Sequence, residues 1–167
     1  FAHGDWLLFL DCDVMVDSPD YLKTYIDNLG RAKVLCGGRE YGPKPFRPEL
    51  LLRWKYGVSR ECKSAFVRQT DPYSSFISGN FVISADIFNA IRFNEALSGY
   101  GHEDTLLGIE LKRHNIEILH LDNAARHLGL DPCGEFISKT EQGIVNLVRI
   151  LNISAGNRRE IEKSIKL

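Results

Sequence analysis

Carboxylates stand in two short arrangements that could do chemistry, Asp11-Cys12-Asp13 and Glu103-Asp104, and His127 follows later in the chain. Two aspartates one residue apart at a strand end can turn both carboxylates toward one hard cation. Mg2+ and Mn2+ favour such oxygen ligands alongside substrate phosphates. The same pair can instead cap the next helix or face water. Adjacent carboxylates at a helix start can serve as a base and as a group that holds an acceptor hydroxyl, or as a plain N-terminal cap. His127 can be a metal ligand or a satisfied, partly buried histidine. Taken singly, none of the three separates its chemical role from its structural one.

The elements that must position these groups can be read from the pattern around them. Gly4-Asp5 leads into Trp6-Leu7-Leu8-Phe9-Leu10, an apolar run of the kind a buried parallel strand shows. Asp11 and Asp13 then fall just beyond a strand's carboxyl end, where open α/β sheets bind ligands. Ser18 as N-cap and Pro19 at the first helical position predict a helix from about 19 to 29, stopped by Gly30. A short strand is expected over Ala32 to Cys36, closed by Gly37-Gly38. Three prolines and a glycine between Tyr41 and Pro48 predict a loop, followed by a short helix from Glu49 to Val58.

Phe76 to Ser84 is strand-like but interrupted by Ser78-Gly79-Asn80, and Gly79 predicts a tight turn or a close approach of backbone to a ligand. A short helix is expected over Ala85 to Ile91. The loop Gly99-Tyr100-Gly101-His102 feeds Glu103-Asp104 into a helix that reaches about His114. Acidic residues in that first turn suit the helix dipole. Ile116 to Leu121 reads as a strand with His127 shortly after it. A further helix is expected from Thr140 to about Leu151, with a tail through Lys166.

The composition limits what such a site could serve. With 167 residues, 44% of them apolar and 26% charged, the chain has the makings of one globular domain with a real core. Its net charge of -1 and a pI near 6.6 leave no electrostatic footprint for nucleic acid. No apolar stretch approaches the roughly 20 residues of a membrane helix. The cysteines Cys12, Cys36, Cys62 and Cys133 form no Cys-x-x-Cys pair, so they are expected to be reduced and mostly buried thiols in a reducing compartment. Because the first strand begins at once, the reading also expects sequence upstream of Phe1.

Three segments together resemble glycosyltransferase family 2 and the related galactosyltransferase C-terminal module. They are Gly4-Asp5-Trp6-Leu7-Leu8-Phe9-Leu10-Asp11-Cys12-Asp13, Ser78-Gly79-Asn80-Phe81-Val82-Ile83-Ser84, and Gly99-Tyr100-Gly101-His102-Glu103-Asp104-Thr105-Leu106-Leu107. The resemblance spans about residues 4 to 130 and implies a GT-A-like, Rossmann-like α/β fold: a mixed sheet flanked by helices, without the N-terminal nucleotide-binding half. It divides the chain into a metal- and acceptor-binding half, 1–135, and a C-terminal helical extension, 136–167. It implies an inverting transferase that moves a sugar from a nucleoside diphosphate sugar, a UDP-sugar above all, to a glycan or lipid-linked saccharide. It further implies a cytoplasmic enzyme at the inner face of the membrane, inactive as this piece alone.

The roles carried over are these. Asp13 would coordinate Mn2+ or Mg2+, with His127 as a further ligand, and Asp11 would contact the ribose or the metal. Asp104 would be the general base and Glu103 would orient the acceptor. Gly79 and Asn80 would floor the donor sugar, while Tyr100, beside Gly101, would offer a stacking face. An ordinary carboxylate is already ionised at neutral pH, so the base is expected to need positioning more than a shifted pKa. His102 stands where many relatives carry a small residue, which implies a tuned acceptor pocket.

Two other readings compete. A phosphohydrolase of the haloacid dehalogenase type also uses Asp-x-Asp after a strand. It calls for Thr or Val where Met15 stands and leaves Gly-Tyr-Gly-His-Glu-Asp unexplained. A non-catalytic carbohydrate-binding or scaffold domain would keep the fold, yet both Asp13 and Asp104 are present.

Overall fold

The computed structural model describes residues 2–95, 97 and 99–153. The chain is α/β, with two mixed sheets and flanking helices. The larger sheet has the order β1 (Trp6–Leu10), β5 (Asn80–Ser84), β3 (Val34–Cys36), β6 (Ile118–His120). β5 runs antiparallel to both β1 and β3, and only β3 and β6 are parallel.

Alternation along the central strands builds the two layers of core. Phe81 and Ile83 of β5 join Val34 and Cys36 of β3 on one face. Leu107 and Leu111 of helix α5 (Glu103–Arg113) cover them. Val82 and Leu35 point the other way, against Tyr21 and Tyr25 of helix α1 (Tyr21–Ile26). The period of two in a strand therefore decides which helix each residue meets. Both tyrosine hydroxyls donate to Asn80 Oδ1 at 2.6 Å, so their burial leaves no polar group unpaired.

The first strand differs from its expected form. Its apolar run predicted a buried parallel strand, but β1 lies at the sheet edge and pairs antiparallel with β5 alone. Leu7 and Phe9 face the core, whereas Leu8 and Leu10 keep about two-fifths of their surface exposed. Neighbouring strands set burial here, and a five-residue run cannot report how many neighbours it has.

The second sheet went unread in the sequence because its strands are so short. β2 (Val14–Met15), β7 (Ala125–His127) and β4 (Arg39–Tyr41) lie in the order β2-β7-β4, with β7 antiparallel to β2 and parallel to β4. Gly37-Gly38 carries the chain from β3 of one sheet into β4 of the other. Gly38 has a positive φ of 85°. A side chain at Gly37 would run into the Asn123 carbonyl and the Tyr25 hydroxyl, so only glycine fits at this crossing.

The helices fall near their expected places with shifted ends. A 3-10 turn over Pro48–Leu50 precedes α2 (Leu51–Arg60), and the unpredicted α3 (Ala65–Gln69) follows, capped by the Ser64 hydroxyl. α4 (Ala85–Ala90) leaves β5 directly, and α6 (Cys133–Ile153) runs across the boundary drawn at residue 135. The expected tail beyond 153 lies outside the described residues. α1 starts at Tyr21 rather than Pro19, with Asp20 at the cap, because the Ser18 hydroxyl accepts from the Asp20 amide in a turn before the helix. All four cysteines are free. Only Cys36 is buried and Cys12 is exposed, against the expectation of mostly buried thiols. No helix among the described residues is long and apolar enough to cross a membrane.

Candidate functional site

The register of the small sheet brings Asp13 to His127. Val14 pairs with His127, and the Leu128 amide donates to the Asp13 carbonyl at 2.8 Å. The side chains follow, with His127 Nε2 3.4 Å from Asp13 Oδ2. His127 is 9% exposed and Asp13 47%, so one partner is fixed in the wall while the other opens to solvent. Burial, helped by the charge of Arg39 and opposed by Asp13, holds the His127 pKa below its usual value. The shift favours the neutral imidazole, the form that binds metals. Its Nδ1 is buried without a hydrogen-bond partner. Gly129 packs so close to the Asp13 carboxylate that any side chain there would displace it.

The pair fits a hard divalent ion. Neighbouring ligands in an octahedral shell of radius about 2.1 Å stand about 3 Å apart, close to the observed separation. Among the described residues no three or more His, Cys, Asp or Glu side chains converge as a metal cluster. Asp13 and His127 would supply two protein ligands only, leaving the rest to phosphate oxygens and water, as Mg2+ commonly prefers.

Asp11, expected at the ribose or the metal, is engaged elsewhere. Its Oδ2 accepts from Arg39 Nη2 at 2.8 Å, and its amide donates to the Gly79 carbonyl at 3.1 Å. Gly79 is required at this spot, since a Cβ would overlap both the Asp11 carboxylate and the Arg39 guanidinium. Arg39 also reaches Glu61 at 3.3 Å, which in turn accepts from Arg53 at 3.0 Å and from the Tyr41 hydroxyl. Burial alone would raise the Glu61 pKa, but Arg53, Tyr41 and Arg39 outweigh it and hold the carboxylate below its usual range.

An open cleft of about 480 Å3 lies beside this network, with Asp11, Phe93, Tyr100, Gly101 and Glu103 in its walls. Glu103 faces the cleft and has no ion-pair partner among the described residues. Asp104 lies one position further into the helix start. Part of the residue reaches the surface, while its carboxyl group is enclosed by protein. Burial and the neighbouring Glu103 charge push its pKa up to about 6, against the Thr105 amide bond at 2.7 Å and the attraction of Arg39. The expected ordinary carboxylate is therefore corrected, because burial and the adjacent Glu103 charge both disfavour the ionised form.

Asn80 does not look into the cleft. Its Oδ1 takes both tyrosine hydroxyls, and its Nδ2 donates to the carbonyls of Gly38 at 2.8 Å and Asn123 at 2.9 Å. Every hydrogen-bonding position of the side chain is used inside the fold. Gly79 keeps the close approach foreseen for the Ser78-Gly79-Asn80 turn, and the groups it meets are the Asp11 carboxylate and the Arg39 guanidinium.

Sequence reasoning missed Arg39, the residue that links these groups. It bonds Asp11 and Glu61, and its charge acts on both Asp104 and His127. The only available signal was a charged residue just past Gly37-Gly38, where the chain leaves the core. Comparison with protein families and with curated proteins finds no match to the chain.

Proposed function

We propose that this chain forms the metal- and acceptor-binding part of an inverting glycosyltransferase. It would pass a sugar from a nucleoside diphosphate sugar, a UDP-sugar, to a hydroxyl of a glycan or lipid-linked saccharide in the cytoplasm, at the inner face of the membrane. The observation that carries the reading is the buried His127 and half-exposed Asp13, 3.4 Å apart at a strand end, together with Glu103 in the cleft wall and Asp104 next to it in the first turn of α5. The three-segment resemblance to family 2 transferases supports it.

In this reading Asp13 and His127 would hold Mn2+ or Mg2+, which would supply Lewis-acid neutralisation of the leaving diphosphate. Glu103 accepts an acceptor hydroxyl at the cleft wall, and Asp104 takes the proton of the attacking one. The acceptor oxygen bonds to the anomeric carbon as the bond from that carbon to the phosphate oxygen breaks, which inverts the centre in one displacement. A pKa near 6 suits this work, since the base is ionised at neutral pH yet still holds a proton better than an ordinary aspartate.

Titration calorimetry with Mn2+ tests the reading. Binding should strengthen in the presence of UDP and be lost when Asp13→Ala and His127→Ala are combined. Binding indifferent to UDP, or retained in the double variant, would overturn it.

A further inference from the structure

One stripe of α6 touches the loop that carries Tyr100 and introduces Glu103. Lys139, Gly143, Asn146 and Ile150 recur at intervals of four, three and four, so they share one helix face. Asn146 is only 2% exposed, and its Nδ2 donates to two loop carbonyls, Gly101 at 3.0 Å and Tyr100 at 3.3 Å. Lys139 Nζ sits 5.3 Å from the centre of the Tyr100 ring and is held there by Asp131 at 2.7 Å and Glu135 at 3.0 Å. Gly143 faces the His102 ring and the Tyr100 carbonyl. Ile150 anchors the stripe among Leu106 and Ile109 of α5.

The loop needs such support. Gly99, Gly101 and His102 all have positive φ, at 88°, 91° and 69°. His102, at the N-cap of α5, is a non-glycine residue in the left-handed region, a conformation that surrounding contacts must sustain. Its own side chain makes one such contact, Nδ1 to Thr105 Oγ1 at 3.1 Å. Asn146 bonds the two carbonyls just before it.

We propose that Asn146 and Lys139 are positioning residues for the acceptor. Asn146 fixes the path of the Gly99-to-His102 loop, and Lys139 steadies the Tyr100 ring, so that the half-exposed ring and Glu103 present a fixed surface to a sugar. The proposal rests on the acceptor role given to the cleft above. It makes α6 part of the site rather than an appendage to it.

The test compares Asn146→Ala with Ile150→Ala, which weakens the same helix contact without touching the loop carbonyls. Amide hydrogen exchange should accelerate about 10-fold or more at Gly101 to Glu103 in Asn146→Ala, at equal loss of melting temperature and unchanged protection at Leu107. In transfer assays with the full protein, the acceptor KM should rise at least about 5-fold while the donor KM and UDP-dependent Mn2+ binding stay as in the parent. Lys139→Met should raise the acceptor KM with normal loop protection. Identical loop exchange in the two helix variants, or an acceptor KM that follows stability alone, would overturn the proposal. If neither the parent nor the variants transfer sugar, the proposed function fails, and the exchange comparison still decides whether Asn146 holds the loop.

Discussion

The Asp104 carboxyl is held away from water beside the negative charge of Glu103, and the two effects together place its pKa near 6. An aspartate in an unfolded chain titrates near 3.9, so the fold binds this proton more tightly than the unfolded state does. The contribution of Asp104 to stability is accordingly complete below about pH 4 and is lost as pH rises through about 6. Asp104→Asn should therefore be more stable than the parent at pH 7, by up to about 3 kcal/mol at roughly 1.4 kcal/mol per pKa unit, with the gain vanishing near pH 4. Urea unfolding at the two pH values measures this. Transfer by the same variant should fall by about 100-fold or more, with donor binding intact. Equal unfolding midpoints at pH 7 would show that Asp104 is not held under strain, and unchanged transfer would remove it as the base. The residue types at this position were legible in the sequence. Their altered proton affinity was not, because it arises first from burial, which tertiary packing sets, and is opposed by Arg39, 65 positions earlier in the chain.

Among the elements, the turn into β5 is the most exacting. Gly79 lies where two charged groups meet, and its missing side chain is what lets Arg39 bond Asp11. Gly79→Ala should separate that pair and destabilise the fold by about 1–3 kcal/mol, the usual cost of forcing atoms into a filled space. A shift of the denaturant midpoint measures it, and a variant as stable as the parent, with Asp11 still on Arg39, would refute the steric account. Sequence anticipated the close approach at Gly79 but not its partner. Helices α1, α2, α5 and α6 were visible because apolar spacing and caps are local properties. β2 and β4, with two and three residues, were invisible, since so short a run has no period to detect. Those two strands bring Asp13 and Arg39 to the site.

For the molecule as a whole, the small sheet is braced by buried charge. Arg53, 5% exposed, lies over the Tyr41 ring and shares Glu61 with Arg39. Glu61→Gln would leave two guanidinium groups short of a counter-charge, and its cost should be about 3 kcal/mol or more, typical of breaking a buried pair from one side. Because Arg39 would then lean on Asp11 alone, Mn2+ binding at Asp13 and His127 should weaken along with stability. Thermal unfolding and the manganese titration read the two effects, and full retention of both would dismiss the network as a brace. Arg68, whose guanidinium lies against Gly38, closes the ends of β3 and β6 by donating to the carbonyls of Cys36, Gly37 and Leu121. Composition and local periodicity were enough for the α/β class, the main helices and the residue types at the two acidic segments, since those are local properties of the chain. Only the tertiary structure decided that β1 is an edge strand, that Asn80 serves the core, that Asp11 belongs to Arg39 and that α6 grips the Tyr100 loop. These are outcomes of strand pairing and of contacts between residues far apart in the chain, and no local pattern specifies which distant partner a buried charge or amide will find.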